Sequence, residues 1–401
     1  MAWRMLGLVA LGELLGMTLW FSATAVTPTL VAELSLDAGQ AAWLTMAVQA
    51  GFVCGTLVSA LLNLPDVMNA RWLFLLGCGA GAAANAAVAW STDPDLVIAW
   101  RFATGLALAG VYPPGLKIAA GWFANRRGTA LGILIGALTL GSSVPQLLTW
   151  LPTDLPWRQV IRLSSLFALT GGVLVAVAVR DGPHVPHRAP FDPRAAFAVF
   201  VNRGTRLATL GYLGHMWELY AMWTWMAPFA AASLLARNPT AATSGALVAF
   251  VAIASGAAGC TVAGLLADRI GHARIAGWSM VASGGCAAAT VVVFGAPPAI
   301  LYAFAVLWGI TVIADSAQFS TLVTYYSPGA HVGTALTMQT CLGFLLTMVT
   351  IRAVPAVAAA VGWQWGFLLL APGPALGAIA MRALWRRPPV VQATGAPTLV
   401  S

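Results

Sequence analysis

Two acidic residues lie inside long apolar stretches and repeat one pattern. Glu13 begins the segment ELLGMTLW and Glu218 begins ELYAMWTW, so both follow E-L-x-x-M-x-x-W at an offset of 205 residues. At helical spacing the Glu, Met and Trp of each segment share one face. An ionised carboxylate inside a bilayer is costly unless it faces a partner or a wet cavity. Since desolvation favours the protonated carboxyl, each acid could load and release a proton.

Further polar residues accompany these acids. His215 precedes Glu218 by three residues and joins its helix face, and Asp315 is a third acid in an apolar run, with Gln318 one turn later. We assign proton coupling first to Glu218, with His215 and Glu13 as helpers and Asp315 as a further candidate. The structural alternative is that Glu218 holds its helix by bonding to a neighbour, such as His215.

Cationic and aromatic residues define a candidate substrate site. Arg101 lies some six residues inside an apolar run, and a guanidinium in a cavity would suit a carboxylate or another anionic group. Tryptophan and methionine offer stacking surface to a planar or amphipathic solute, although ordinary helix packing and an interfacial belt would also use them. The predicted substrate-binding residues are Arg101, Trp20, Trp217, Met222, Trp225, Gln318 and Arg352.

The elements that carry these residues are membrane spans. Of 401 residues, 60% are hydrophobic and 8% are charged, whereas about a quarter are charged in soluble domains. Twelve apolar runs are long enough to cross a bilayer as helices. They lie near residues 5–30, 41–63, 71–91, 95–122, 127–151, 158–180, 205–236, 244–267, 273–295, 298–326, 331–355 and 362–385.

The net charge of +8 raises the question of a nucleic-acid partner. Most arginines, however, fall in the loops on one side of the twelve runs, whereas the other side holds mainly acidic residues. This asymmetry follows the positive-inside rule, which leaves no basic patch for nucleic acid. It predicts a multi-pass protein of the cell membrane, in bacteria the inner membrane, with both termini cytoplasmic.

The sequence contains no pattern for a cofactor, a metal or an enzyme. The five cysteines fall inside predicted spans without a CxxC pair, which supports neither a disulfide framework nor a zinc site. There is no GxxxxGK[ST] segment for ATP and no nucleophile and base constellation. The first apolar run is longer than a cleaved signal peptide, so we expect a retained helix.

The chain divides into two related halves. GTAL recurs at residues 128–131 and 333–336, again at an offset of 205. We predict a six-helix bundle over 1–180, a Pro- and Arg-rich cytoplasmic linker over 181–204, a second bundle over 205–387 and a cytoplasmic tail over 388–401. In the fifth span Gly128, Gly132 and Gly136 form a stripe that permits close helix packing in lipid.

Loop motifs in both halves resemble those of one family. The segment GLLADRIGHAR after the eighth span matches the G-x-L-a-D-R-x-G-x-x-R loop of the major facilitator superfamily. LNLPDVMNAR is its weaker counterpart after the second span, and RFATG resembles the R-F-x-x-G element of the fourth. The glycine that the family's antiporter motif places before Pro145 is Val144 here. This difference disfavours a drug/proton antiporter.

The resemblance implies an all-α membrane protein with twelve transmembrane helices in two pseudo-symmetric six-helix bundles. It also implies that the first helix of each three-helix repeat lines a central cavity, so that Glu13 and Glu218 would face the substrate path. The loop acid of the family locks the inner gate by bonding to a neighbouring helix end and to arginines. The residues implied in gating are Asp66, Arg71, Gly264, Asp268, Arg269, Gly271 and Arg274.

These observations predict a secondary active transporter that moves a small organic solute by alternating access and is driven by protons. We expect a monomer whose partners are the solute, the proton and the bilayer. Export of drugs or metabolites by proton antiport is the alternative within the same class. A membrane sensor that transports nothing is a second class, but it would not need paired intramembrane glutamates.

Overall fold

The computed structural model describes residues 1–123, 126–151, 155–184, 192–193, 196–239, 245–327 and 331–386. The side chains of residues 66, 127, 198 and 199 also lie outside the description. Within the described part every regular element is helical. The α-helices are α1 Ala2–Met17, α2 Ser22–Ala25, α3 Thr27–Leu34, α4 Ala38–Leu61, α5 Leu64–Val67, α6 Ala70–Val88, α7 Pro94–Leu108, α8 Tyr112–Trp122, α9 Arg127–Trp150, α10 Trp157–Ala178, α11 Arg203–Arg237, α12 Ala246–Ile270, α13 His272–Val293, α14 Pro298–Ile313, α15 Ser316–Tyr326, α16 Val332–Val361, α17 Trp363–Gly366 and α18 Pro372–Trp385. Two short 3-10 helices span Ala198–Val201 and Phe367–Leu370.

The predicted fold class is confirmed: the chain forms two six-helix bundles. Eleven helical stretches of the described residues are long and apolar enough to cross a membrane. The twelfth predicted span is the first in the chain, and it is broken into α1, α2 and α3, so none of its pieces reaches the length of a full crossing. We number the spans 1 to 12. Span 1 comprises α1 to α3, span 4 α7 and α8, span 10 α14 and α15, and span 12 α17 and α18.

Two of the helix breaks follow the internal repeat. Span 4 is interrupted at residues 109–111 and span 10 at residues 314–315, which is again an offset of 205. The break of span 1 at residues 18–21 has no counterpart, because span 7 runs as one helix from Arg203 to Arg237. The halves are therefore alike in plan and differ in their first helices.

The two halves meet along spans 5 and 8 and along spans 2 and 11. The predicted glycine stripe of span 5 lies at the first contact. A Cβ at Gly132 would lie 2.6 Å from the carbonyl oxygen of Cys260, and one at Gly136 would lie 3.0 Å from that of Ala257. Glycine is required here because the two backbones approach too closely for a side chain.

The linker is described only in part, and the predicted tail over 388–401 lies wholly outside the described residues. Residues 185–191, 194–195 and 387–401 lie outside the described residues, and with them Arg188, Arg194 and Arg387 of the basic side. Within the linker, the backbone N–H of Asp192 donates to Thr334 Oγ1 of span 11 at 3.0 Å. Span 7 begins at Arg203, close to the predicted start of the second bundle. The bundle boundaries remain predictions.

On the side opposite the basic loops, span 1 is tied to span 6. Arg158 Nη2 donates to Glu33 Oε1 at 2.6 Å, and Trp157 Nε1 donates to Glu33 Oε2 at 2.6 Å. Glu33 lies in α3, close to the outer end of span 1. An exposed pair of this kind adds little stability.

The glycine contact between the halves can be tested by substitution. We expect Gly132→Leu to destabilise the protein by about 1–3 kcal/mol, since its Cβ meets a backbone oxygen that cannot rotate away. The melting temperature of the detergent-purified protein measures this effect. It is taken as the temperature at which heating halves the folded peak in size-exclusion chromatography. Gly79→Leu is the matched control, because a Cβ at Gly79 meets no atom within 4 Å. Equal melting temperatures for the two variants would contradict the assignment.

Candidate functional site

The break in span 1 is held by Arg101 of span 4. Its Nη1 donates to the carbonyl oxygen of Leu19 at 3.1 Å, and its Nη2 donates to that of Trp20 at 2.5 Å. Its Nε donates to the carbonyl oxygen of Leu44 in span 2 at 3.2 Å. Carbonyl groups freed at membrane depth need donors, and a fully buried guanidinium supplies several in fixed geometry.

Side chains from four spans complete this network. Asn85 Oδ1 of span 3 accepts from Arg101 Nη1 at 2.8 Å and from Ser22 Oγ of span 1 at 2.6 Å. Asn85 Nδ2 donates to Ser165 Oγ of span 6 at 2.9 Å. Every guanidinium nitrogen of Arg101 is thus engaged by the protein. Sequence reasoning proposed Arg101 as a substrate ligand, whereas the structure uses its donors to build the first bundle.

Six aromatic side chains fill the centre of the molecule between the halves. We call this set the aromatic layer. Its members are Trp20 and Phe21 of span 1, Phe52 of span 2, Tyr220 and Trp223 of span 7, and Phe344 of span 11.

The rings of the aromatic layer touch across the boundary between the bundles. Phe52 and Phe344 have centroids 4.6 Å apart, and Trp20 lies 5.5 Å from Phe344 and 5.6 Å from Tyr220. All six side chains are buried. The centre is therefore closed in this conformation. The predicted substrate residues include Trp20 of this layer but none of its Phe and Tyr residues, which no sequence pattern distinguishes from core residues.

Polar atoms without partners lie in and beside the aromatic layer. Trp20 Nε1 and Trp223 Nε1 have no hydrogen-bond partner, and neither carboxamide atom of Gln49 has one, although all are buried. Gln49 lies one turn before Phe52 on span 2. Buried polar groups are normally paired, so each of these needs an explanation. A solute with hydroxyl groups would supply the missing partners.

The carboxylate of Glu218 is buried and doubly bonded. Trp308 Nε1 of span 10 donates to its Oε1 at 2.7 Å, and Ser283 Oγ of span 9 donates to its Oε2 at 2.8 Å. Both partners belong to the same half as Glu218. His215 is not among these partners. Glu218 thus does bond to neighbouring helices, as the structural alternative predicts, but its partners are Trp308 and Ser283 and not His215.

The carboxylate of Glu13 is buried with no hydrogen-bond partner on either oxygen. It lies against Gly115 of span 4, where an added Cβ would meet its Oε2. By the repeat, Ser283 beside Glu218 corresponds to Cys78 in the first half, and a thiol is only a weak donor. The two acids thus occupy equivalent places with different surroundings.

The surroundings of Glu13 and Glu218 differ from the expected cavity wall. Both acids point away from lipid, but their neighbours come from their own bundles. In span 1 the Glu, Met and Trp residues of the repeated pattern do not share one helix face. The helix α1 ends at Met17, and the break after it places Trp20 in the aromatic layer. The predicted face assumed a continuous helix. In the structure the helix is interrupted, and Arg101 stabilises the interruption by donating to the carbonyl oxygen of Trp20.

Two further polar contacts continue from Glu218 toward the basic side. His215 Nδ1 lies 2.7 Å from Asp315 Oδ1, with both side chains buried, and the two form an ion pair when the imidazole is protonated. His272 Nδ1 lies 2.6 Å from Gln318 Oε1, one turn after Asp315. His272 lies one residue before the predicted ninth span. It is the first residue of α13 and is partly exposed.

Two other predicted substrate residues of span 7 donate to backbone carbonyl groups of their own half. Trp217 Nε1 donates to the carbonyl oxygen of Leu369 at 3.0 Å, so it packs on span 12. Trp225 Nε1 donates to the carbonyl oxygen of Ile351 at 2.8 Å, and Met222 is buried in the core.

Arg352 lies in the outer half of span 11, nine residues before this helix ends at Val361. A Cβ at Gly39 of span 2 would lie 2.9 Å from Arg352 Nη1, so this cation marks a contact between the halves near the membrane surface. Arg352 is exposed. It therefore lies on the exposed surface beside the start of span 2 and not at the centre.

On the basic side Asp268 links the halves. Its Oδ2 accepts from Thr129 Oγ1 at 3.1 Å and from Thr129 N at 3.3 Å, in the first turn of α9. Such a position favours a negative charge because helix N-termini expose N–H groups. Gly264 packs against the backbone of Gly128, and Gly271 has a φ of 100°, which favours glycine. These contacts hold spans 5 and 8 together on the basic side.

The remaining predicted gating residues are arranged differently. Arg71 Nη1 donates to the carbonyl oxygen of Val179 at 2.8 Å and lies 3.6 Å from Asp181, so it ties spans 3 and 6 of one half. Arg274 stacks on Trp385 at 4.6 Å and points to span 12. Arg269 is exposed. The side chain of Asp66 lies outside the described residues.

Comparison with known proteins identifies relatives of the chain. A family model described as the Major Facilitator Superfamily matches residues 9–237. A galacturonate transporter of Dickeya chrysanthemi is 29% identical over 174 residues, covering 42% of this chain and 48% of the relative. A hexuronate transporter of Escherichia coli (strain K12) is 30% identical over 169 residues, covering 40% of this chain and 38% of the relative. The match thus spans less than half the length of each.

A solved structure has the same fold. The human organic anion transporter MFSD10 superposes with a TM-score of 0.68 over 95% of this chain and 99% of its own, at 16% sequence identity. At this identity the likeness concerns the architecture alone.

The role of Arg101 in the fold leads to a prediction. Arg101→Lys keeps the charge but replaces a fork of donors with a compact ammonium group that cannot reach all the carbonyl oxygens at the span 1 break. We expect a loss of about 1–3 kcal/mol for buried acceptors left without donors. The melting temperature of the purified protein measures it.

The control is Arg352→Lys, which makes the same exchange at an exposed site. We expect its melting temperature to equal that of the native protein. An unchanged melting temperature for Arg101→Lys would refute the structural role of Arg101.

Proposed function

Because the chain belongs to the major facilitator superfamily, we propose that it is a secondary active transporter that moves a small organic solute by alternating access and is driven by the proton gradient. The positive-inside asymmetry of the loops supports an orientation with the basic side and both termini in the cytoplasm. The halves would rock about the aromatic layer, as bundles do about a midplane site.

The observation that carries the proton coupling is a series of titratable groups in the second bundle. His272 is partly exposed near the basic end of span 9 and contacts Gln318. Asp315 lies one turn from Gln318 and pairs with His215, which is one turn from Glu218. Protons entering from the basic side could pass along this series, with water filling the gaps when the bundle opens. The first bundle has Arg101 and one acid, Glu13, in the corresponding region.

The closed centre and the contact between spans 5 and 8 on the basic side support the gating part of the proposal. The aromatic layer separates the two sides, and Asp268 on Thr129 holds spans 5 and 8 together. Opening requires both contacts to be remade as the halves move. In the closed arrangement neither Glu13 nor Glu218 reaches solvent, so proton exchange is confined to the open states. Coupling requires this confinement.

For the solute we propose a hexuronate, a sugar acid with several hydroxyl groups and one carboxylate. Two relatives are named for galacturonate and hexuronate transport. The unpartnered carboxamide of Gln49 and the indole N–H groups of Trp20 and Trp223 suit hydroxyl groups, and the rings of the aromatic layer suit the apolar face of a sugar. Arg352 on the exposed surface beside the start of span 2 would attract the carboxylate.

The role of Glu218 can be tested in proteoliposomes with an imposed pH gradient. We expect Glu218→Gln to abolish gradient-driven accumulation of the solute, because an amide cannot carry the proton, and to leave solute counterflow partly intact. Glu33→Gln is the matched control, since the same exchange at an exposed residue should leave both activities unchanged. Undiminished accumulation by the Glu218 variant would remove this residue from the mechanism.

The solute class is tested by counterflow of labelled galacturonate and glucuronate, with galactose as the neutral analogue. We expect exchange of the two acids only. Gln49→Leu should raise the half-saturation concentration about 3- to 10-fold, as expected for the loss of one hydrogen bond. Gln159→Leu, at an exposed site of span 6, is the control. Exchange of galactose at the same rate would overturn the hexuronate assignment without affecting the proton proposal.

A further inference from the structure

A large groove runs along the outer surface between α13 of span 9 and α18 of span 12. Its volume is about 850 Å³. Small residues form its floor, among them Gly277, Gly284, Gly285, Ala375 and Ala378. Val281 and Ile379 stand exposed on its walls. An apolar groove on the outer surface of a membrane bundle opens to lipid, so hydrocarbon chains are the surrounding material.

One end of the groove is strongly basic. Arg274, Arg382 and Arg386 line it there, and all three are exposed. Arg274 lies 4.6 Å over the ring of Trp385, which in turn meets Trp278 edge-on at 6.2 Å. Among the described residues no carboxylate lies within 4 Å of any of these three guanidinium groups. The charge at this end is therefore uncompensated by the described protein.

The position of the basic end matches the chemistry of a membrane surface. Trp278, Trp385 and the three arginines lie at the ends of α13 and α18 that border the basic loops. Tryptophan favours the headgroup level of a bilayer, and basic pockets between helices bind anionic headgroups there. From the headgroup level the groove continues along α13 and α18 toward the middle of the membrane, in the direction that the acyl chains of a lipid take.

We propose that this groove binds an anionic diacyl phospholipid of the leaflet on the basic side. The headgroup phosphate lies among Arg274, Arg382 and Arg386, and an acyl chain lies on the small residues of α13 and α18. Charge complementarity selects the headgroup. This site faces outward from spans 9 and 12 and is independent of the proposed transport activity.

The test is native mass spectrometry of the full-length protein, delipidated in detergent and titrated with phosphatidylglycerol or with phosphatidylcholine of the same acyl chains. We expect the first lipid to bind about tenfold more tightly than the second. Neutralising Arg274, Arg382 and Arg386 together to Gln should remove this preference, since these residues carry the positive charge that attracts the anionic headgroup.

A triple variant with Arg180, Arg203 and Arg206 changed to Gln is the matched control, because it removes the same charge from exposed residues of the same side. It should keep the preference. Equal losses in both triple variants would show general attraction to the basic side and overturn the site.

A second pair of variants tests the groove itself. A Cβ at Gly285 meets no atom within 4 Å, so Gly285→Leu fills the groove without disturbing the fold. The control is Gly79→Leu on span 3, which also adds a leucine in open space but lies away from the groove. We expect weaker phosphatidylglycerol binding in the Gly285 variant only. Unchanged binding in that variant would overturn the seating of the acyl chain.

Discussion

The first bundle depends on the contact between Arg101 and the interrupted first helix. A break at membrane depth exposes carbonyl groups that lipid cannot satisfy, and Arg101 donates to two of them, at Leu19 and Trp20. Asn85 joins the same guanidinium and ties spans 1, 3, 4 and 6 together. Because the chain turns at this point, Trp20 reaches the centre of the molecule. The break, the arginine and the closed centre are thus parts of one arrangement.

The repeat gives the two halves one plan and different chemistry. Arg101 corresponds to Val306, and Asp315 corresponds to Gly110. The first half therefore holds a buried cation that serves the fold, whereas the second holds the pair of His215 and Asp315 beside a bonded Glu218. This difference is compatible with the proposed rocking about a shared interface, since that interface is built mainly from aromatic rings and glycine contacts, with Asp268 on Thr129 as a charged contact at its basic side.

Much of the architecture follows from local sequence signals. Span lengths, loop charges and the repeat predicted two bundles of helices, and the spacing of Gly128, Gly132 and Gly136 predicted a close helix contact, which spans 5 and 8 make. The acid of the loop motif, Asp268, lies at a helix N-terminus as the resemblance implied. The contacts of other residues could not be predicted: Arg274 stacks on Trp385 and Trp217 packs on span 12, because one sequence cannot tell which side of a helix its neighbours cover.

The sequence by itself determined which segments cross the membrane, which side is basic and where ionisable groups are buried, since these depend on hydropathy, charge and spacing along the chain. Only the tertiary structure decided what those groups meet. In the tertiary structure Arg101 donates to backbone carbonyl groups and Glu13 has no hydrogen-bond partner. His272 contacts Gln318, which is 46 residues away in the chain. The reason is physical: the cost of burying a polar group can be read from its type, but its partner is set by how helices distant in sequence pack together.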